Sequence, residues 1–191
     1  EVFDTRTKTF GTPIKVGQLP RSMAMSPDGQ TLYVANTGGE SISIVDLQTS
    51  QVVGRVRFPA LPFNNNAAII RPLEITATQR GPLVLMSNNT LWRVIGNEAT
   101  PRRVNASGLP VVNNTQTLPS PTTMASAPNG EFALVLAGNG TAYLYDAIAD
   151  DFIQARQVVN PPITGYYGPV AVGPRGQYFL VNGLVLNQAL T

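Results

Sequence analysis

The stretch Arg21-Ser-Met-Ala-Met-Ser-Pro-Asp-Gly-Gln-Thr-Leu-Tyr-Val-Ala-Asn36 decides the fold. It is an alternating run, a Pro-Asp-Gly turn and a second alternating run. Alternation of apolar and polar residues marks a strand with one buried face. Asp28 and Gly29 supply turn chemistry: a side chain that bonds its own backbone, and a residue free to take positive φ. A polar break at Thr37–Glu40 leads to a third run, Ser41-Ile-Ser-Ile-Val-Asp46. A second break, Leu47–Ser50, leads to a fourth, Gln51-Val-Val-Gly-Arg-Val56. Four short strands joined by tight turns make an antiparallel meander.

The unit recurs along the chain. Pro72–Gly81 is followed by Pro82–Asn88 and Thr90–Ile95. Pro121–Gly130 is followed by Glu131–Ala137 and Thr141–Asp146. Gly168–Gly176 is followed by Gln177–Asn182. The turn glycines Gly29, Gly81, Gly130 and Gly176 recur every ~50 residues, the period of propeller blades built from four strands each. One such sheet cannot bury both faces, whereas stacking around an axis buries them. The first strands are rich in small residues (Ser22, Ala24, Ala77, Ala125, Ala171), which suits crowding near an axis.

The expected fold is therefore all-β, a β-propeller of four-stranded antiparallel blades. The blades divide the chain into 1–17 (end strands of one), 18–58, 59–106, 107–160 and 161–191 (the start of another). The end strands are expected at Val2–Thr5 and Thr12–Val16, with a last strand near Leu184–Asn187. Three closures fit. The termini complete one blade of a small four-bladed ring, the chain is a section of a larger ring, or two chains associate as half-rings. Three long connections, near 59–72, 106–120 and 160–167, all join a fourth strand to the next first strand. They emerge on one face, where binding residues tend to gather.

Composition narrows the chemistry. The chain has 191 residues, 43% hydrophobic and 13% charged, with 17 glycines and 16 prolines. That is a strand-and-turn composition, not a disordered one. Net charge is +2, and the basic residues are scattered; the tightest group is Arg102–Arg103 with Arg93 nearby. A nucleic-acid surface needs a denser basic stripe, so no nucleic-acid partner is expected. No apolar run reaches membrane-spanning length. There is no cysteine and no histidine, which removes disulfides, thiolate chemistry and the commonest general base and metal ligand. The start, Glu1-Val-Phe-Asp4, reads like mid-strand and suggests a mature form or a piece of a longer protein.

Ser26-Pro27-Asp28-Gly29, Tyr33-Val34-Ala35-Asn36, Ser43-Ile44-Val45-Asp46 and Val52-Val53 resemble the YVTN-type β-propeller repeat of bacterial surface-layer-like proteins. Glu1–Thr5 and Ile14–Gly17 look like the end of a preceding copy. The resemblance implies a bacterial, exported or surface-associated propeller of the larger kind, with an extracellular, periplasmic or cell-surface location. It is weak for activity, because such propellers serve as binding scaffolds, lactonases and dehydrogenase subunits.

No catalytic residue stands out, and no cofactor is required. Glu74 is the one metal or base candidate: a carboxylate in a first strand where other copies carry Met23 or Ala24, Thr123 and Val170. A Ca²⁺ ion held by carboxylates and amides is the chemistry it allows. The competing reading has Glu74 facing solvent or paired with an arginine such as Arg71. Arg21 and Arg71 occupy what read as equivalent blade entries and are candidate contacts for an anionic ligand. Tyr166 and Tyr167, in a Pro/Gly-rich connection, are candidate contacts for a protein or glycan. Trp92 alternates with Leu91 and Val94 and is expected in the core. Asp4, Asp46 and Asp146 end equivalent strands and are expected to bond turns, as is Asp28. The Asn-x-Ser/Thr triplets at Asn88, Asn105, Asn113 and Asn139 read as turn chemistry.

Overall fold

The computed structural model describes residues 1–58, 70–104, 111–112, 115–160 and 169–191. They form β-structure throughout, with no helix among them. A hairpin comes first: β1 (Phe3–Asp4) and β2 (Thr9–Phe10). The first blade is β3 (Pro20–Met25), β4 (Thr31–Asn36), β5 (Ser41–Asp46) and β6 (Gln51–Arg57). The second is β7 (Pro72–Thr78), β8 (Gly81–Met86), β9 (Leu91–Ile95) and β10 (Glu98–Pro101). A small hairpin, β11 (Val111–Val112) and β12 (Thr115–Gln116), follows. The third blade is β13 (Thr123–Ser126), β14 (Phe132–Leu136), β15 (Thr141–Asp146) and β16 (Asp151–Gln157). The fourth has three strands, β17 (Ala171–Val172), β18 (Phe179–Val181) and β19 (Leu184–Leu186). Within each blade the strands pair antiparallel in chain order.

The blades stack through three apolar clusters. Ala35 and Ile42 of the first blade meet Ile75, Val84 and Trp92 of the second. Leu83 and Leu85 of the second meet Ala133, Val135 and Tyr143 of the third. Leu134, Leu136 and Leu144 of the third meet Phe179 and Val181 of the fourth. Each strand thus sends alternate residues to opposite neighbours, as its period of two requires. Trp92 is buried as expected, set edge-on to Phe58 with ring centroids 5.6 Å apart and its indole N–H donating to Thr90 Oγ1 at 3.0 Å.

The repeated aspartates hold turns. Asp46 Oδ1 accepts the N–H groups of Gln48 (2.8 Å) and Thr49 (2.9 Å). Asp146 does the same for Ile148 and Ala149, and Asp4 for Arg6 and Thr7. Each turn then passes through a residue at positive φ: Lys8, Ser50 or Asp150. The shared turn marks β1–β2 as the outer half of a blade. The strand expected at Thr12–Val16 is not there; β2 lies at Thr9–Phe10, because this turn is closed four residues after Asp4. Nor does the hairpin join the last blade, since β1 and β2 pair with each other alone among the described strands.

Two other elements depart from expectation. The connection after the second blade carries the β11–β12 hairpin. It is tied down where Val104 N–H donates to Gln116 Oε1 at 2.7 Å and Leu118 N–H to Asn89 O at 2.9 Å. The second blade's first turn is also shorter. Thr78 pairs directly with Gly81, so Gln79 and Arg80 form a two-residue turn.

Candidate functional site

The inner strands touch in the order β3, β7, β13, β17 and line the axis. Their registers locate Glu74. A bulge between Pro20 and Ser22 in β3 matches one between Pro72 and Glu74 in β7. Ser22 lies opposite Ala35, Glu74 opposite Leu85, and Thr123 opposite Leu136. Ser22, not Met23 or Ala24, is therefore the counterpart of Glu74.

Both side chains reach across to the next blade. Ile75 N–H donates to Ser22 Oγ at 3.2 Å, and Met124 N–H donates to Glu74 Oε2 at 3.0 Å. The Thr123 hydroxyl donates to Glu74 Oε1 at 3.2 Å. Burial pushes the Glu74 carboxyl above its ordinary value. The bonds from Thr123 and Met124 and the charge of Arg21 oppose that shift without cancelling it. The arginine whose charge acts on Glu74 is Arg21. Among the described residues no three acidic, histidine or cysteine side chains gather into a metal-binding group.

Arg21 and Arg71 are not equivalent. Arg21 is the bulge residue of β3, the place Leu73 takes in β7, whereas Arg71 precedes the strand. Both are exposed. Tyr166 and Tyr167 lie outside the described residues, as do Asn105 and Asn113. At Asn88 and Asn139 the amide oxygen accepts the N–H of Thr90 (3.3 Å) and Thr141 (3.0 Å), which is turn chemistry.

The basic group near Arg102 has a structural task. Arg93 pairs with Asp150, whose Oδ1 also accepts the Tyr145 hydroxyl at 2.6 Å. Arg102 pairs with Asp151 at 3.3 Å and lies over the Tyr145 ring, 5.8 Å from its centroid. Burial pushes Asp150 up, but Arg93 and Tyr145 outweigh it and hold the carboxyl below its usual range. Burial, with Asp150, drives Tyr145 up to about 12. Arg80 donates through Nε to Ala147 O at 3.0 Å. These groups tie the second blade to the third.

A cleft of about 490 Å³ opens between the first and second blades, lined by Tyr33, Ile44, Gln79, Arg80, Ile95 and Asn97. Turns joining first to second and third to fourth strands border it. It therefore opens opposite the long inter-blade connections. No sequence motif announces it, because it arises where the shortened turn at Gln79–Arg80 meets a neighbouring blade.

No protein-family model matches the chain. A segment of 43 residues, 22% of the chain, is 42% identical to hydrazine synthase subunit beta of Kuenenia stuttgartiensis, and spans 11% of that protein. Among solved structures, Kuenenia stuttgartiensis hydrazine synthase superposes with a TM-score of 0.64 at 20% identity. That match covers 94% of this chain and 47% of that one. The Cps50 (Swd1) β-propeller domain of Myceliophteria thermophila superposes with a TM-score of 0.62 at 16% identity, covering 97% and 55%. The chain thus spans about half the length of these solved structures. At these identities the likeness shows the fold, a β-propeller.

Proposed function

We propose that this chain is a non-catalytic propeller scaffold, exported or surface-associated, whose long-connection face takes a protein or glycan partner. One observation carries the reading: the charged groups near the axis and between blades are spent on structure. Glu74 holds Met124 and Thr123, Asp150 and Asp151 hold Arg93 and Arg102, and Arg80 holds a carbonyl. None of these is paired as a nucleophile with its base. Candidate contacts on the partner face are Arg21, Arg71, Tyr166 and Tyr167. The test is capture on glycan and surface-protein arrays by the chain and by a Tyr166→Ala/Tyr167→Ala variant. Binding by the parent that the variant loses, with an unchanged melting temperature, supports the reading. Calcium-dependent turnover of lactones, with no capture, overturns it.

A second reading is favoured by the likeness to hydrazine synthase subunit beta. In it, the blades are the propeller part of a redox enzyme. The chain has neither cysteine nor histidine, so other segments or subunits would supply soft or imidazole ligands. Co-purification with a coloured redox subunit would favour this reading over the first.

A further inference from the structure

The junction between the first and second blades stays open where the next two are sealed. Register places Tyr33, Leu83 and Leu134 at one position of successive second strands, two residues before Ala35, Leu85 and Leu136. Each stands opposite a third-strand residue: Ile44, Arg93 and Leu144. Leu83 and Leu134 are wholly buried in clusters shared with the following blade. Tyr33 and Ile44 are half-buried and line the cleft. Two short turns of the second blade cause the opening. Thr78–Gly81 and Ile95–Glu98 each enclose two residues. The third blade has six in the first of these turns and four in the second. Ala147 of that longer second turn belongs to the cluster around Leu83, whereas Gly96 and Asn97 take its place before Tyr33.

The cleft is lined by apolar surface and neutral hydrogen-bonding groups. The Tyr33 ring, Ile44 and Pro82 supply the first; the Tyr33 hydroxyl, Thr31 and Asn97 supply the second. Asn97 reaches across to the first blade, since a Cβ on Gly54, opposite Ile44, would come within 3.2 Å of its Oδ1. Arg80 offers no free charge, because its guanidinium is held on the third blade by the carbonyls of Ala147 (3.0 Å) and Ile148 (3.4 Å). Burial, and after it the charge of Asp28, raise the Tyr33 pKa; the hydroxyl stays a donor and the carboxylate disfavours an anion.

We propose that this cleft binds a neutral sugar, with a C–H face of the ring against Tyr33 and its hydroxyls bonded to Asn97 and the Tyr33 hydroxyl. A pyranose has that pairing of surfaces, C–H groups on its faces and hydroxyls around its edge. A wholly apolar ligand would leave the polar lining groups unpaired, and an anion would find no free counter-charge. The volume of about 490 Å³ lies within the roughly 300–1,000 Å³ of small-molecule sites. The cleft opens opposite the long connections, so this site is independent of the scaffold reading.

The test is an amide-resolved NMR titration of the chain with the methyl pyranosides of glucose, galactose and mannose and with N-acetylglucosamine. Acetate and methylamine serve as charged probes. The expected result is millimolar binding of at least one sugar, with shifts centred on Tyr33, Ile44 and Asn97. Tyr33→Leu installs the residue found at Leu83 and Leu134, and Asn97→Ala alters an exposed side chain, so both should keep the parent's melting temperature. Each should weaken sugar binding about tenfold, through loss of the aromatic surface with its hydroxyl or of the amide hydrogen bond. No binding by any of these sugars overturns the proposal, as do shifts centred elsewhere. Unchanged affinity in either variant overturns it too, as does tighter binding of acetate or methylamine at the same residues.

Discussion

Glu74 on β7 accepts the backbone N–H of Met124 on β13 at 3.0 Å, fifty positions along the chain. The carboxylate does for the second and third blades what Ser22 does for the first and second. Removing it leaves a partly buried donor without its acceptor, which costs about 1–3 kcal/mol. Glu74→Ala should therefore lower stability by that order in chemical denaturation, and Glu74→Gln, which keeps an acceptor, by less.

Glu74 also has a pH consequence. Its folded pKa lies above its unfolded value, so the native state binds more protons between the two. Its contribution is full below the unfolded value and is lost as pH rises through the folded one. Denaturation midpoints of the parent should fall across that window relative to Glu74→Gln. Parallel pH profiles would show that the carboxyl titrates alike in both states.

Asp46 behaves oppositely. The N–H group of Thr49, with that of Gln48, holds its carboxyl below the ordinary value against the opposing effect of burial. Its contribution is present above the unfolded pKa and lost as pH falls through the folded one. Asp46→Asn keeps the turn and should remove part of the acid sensitivity. Asp46→Ala should lower the melting temperature at pH 7. Thermal scans at pH 3 and pH 7 separate the two.

Gly29 and Gly130 both sit at positive φ in first-to-second strand turns. A Cβ on Gly29 meets nothing within 4 Å, whereas one on Gly130 comes within 2.3 Å of Pro27 Cγ and 2.9 Å of Gln79 N. Gly29→Ala should cost about 1–2 kcal/mol for the left-handed backbone alone. Gly130→Ala adds the clash with the neighbouring blades and should cost measurably more in the same denaturant titration.

The strand order of the first blade, the turn aspartates and the buried Trp92 were legible because each depends on local chemistry: alternation, an Asp bonding the next N–H groups, an aromatic inside an apolar run. Glu74 was legible as unusual but not in its role. Its main partner is a backbone donor, and backbone donors leave no trace in residue identity. The non-equivalence of Arg21 and Arg71 was legible too: the offset that carries Gly29 onto Gly81 carries Arg21 onto Leu73, and the matched bulges of β3 and β7 preserve it. The basic trio Arg93, Arg102 and Arg103 read only as the tightest group among scattered charges. Its ion pairs became visible only when the folded chain brought Asp150 beside it.

The contacts of Ser22 and Glu74 bear on how such a repeat diverges. Each hands an acceptor to the main chain of the next blade, and every residue except proline offers the same N–H there. A duplicated blade can change nearly all its side chains without losing that tie, and its neighbour need not change in step. That makes room for copies as unlike as Pro-Leu-Glu-Ile and Pro-Arg-Ser-Met to stand side by side around one axis.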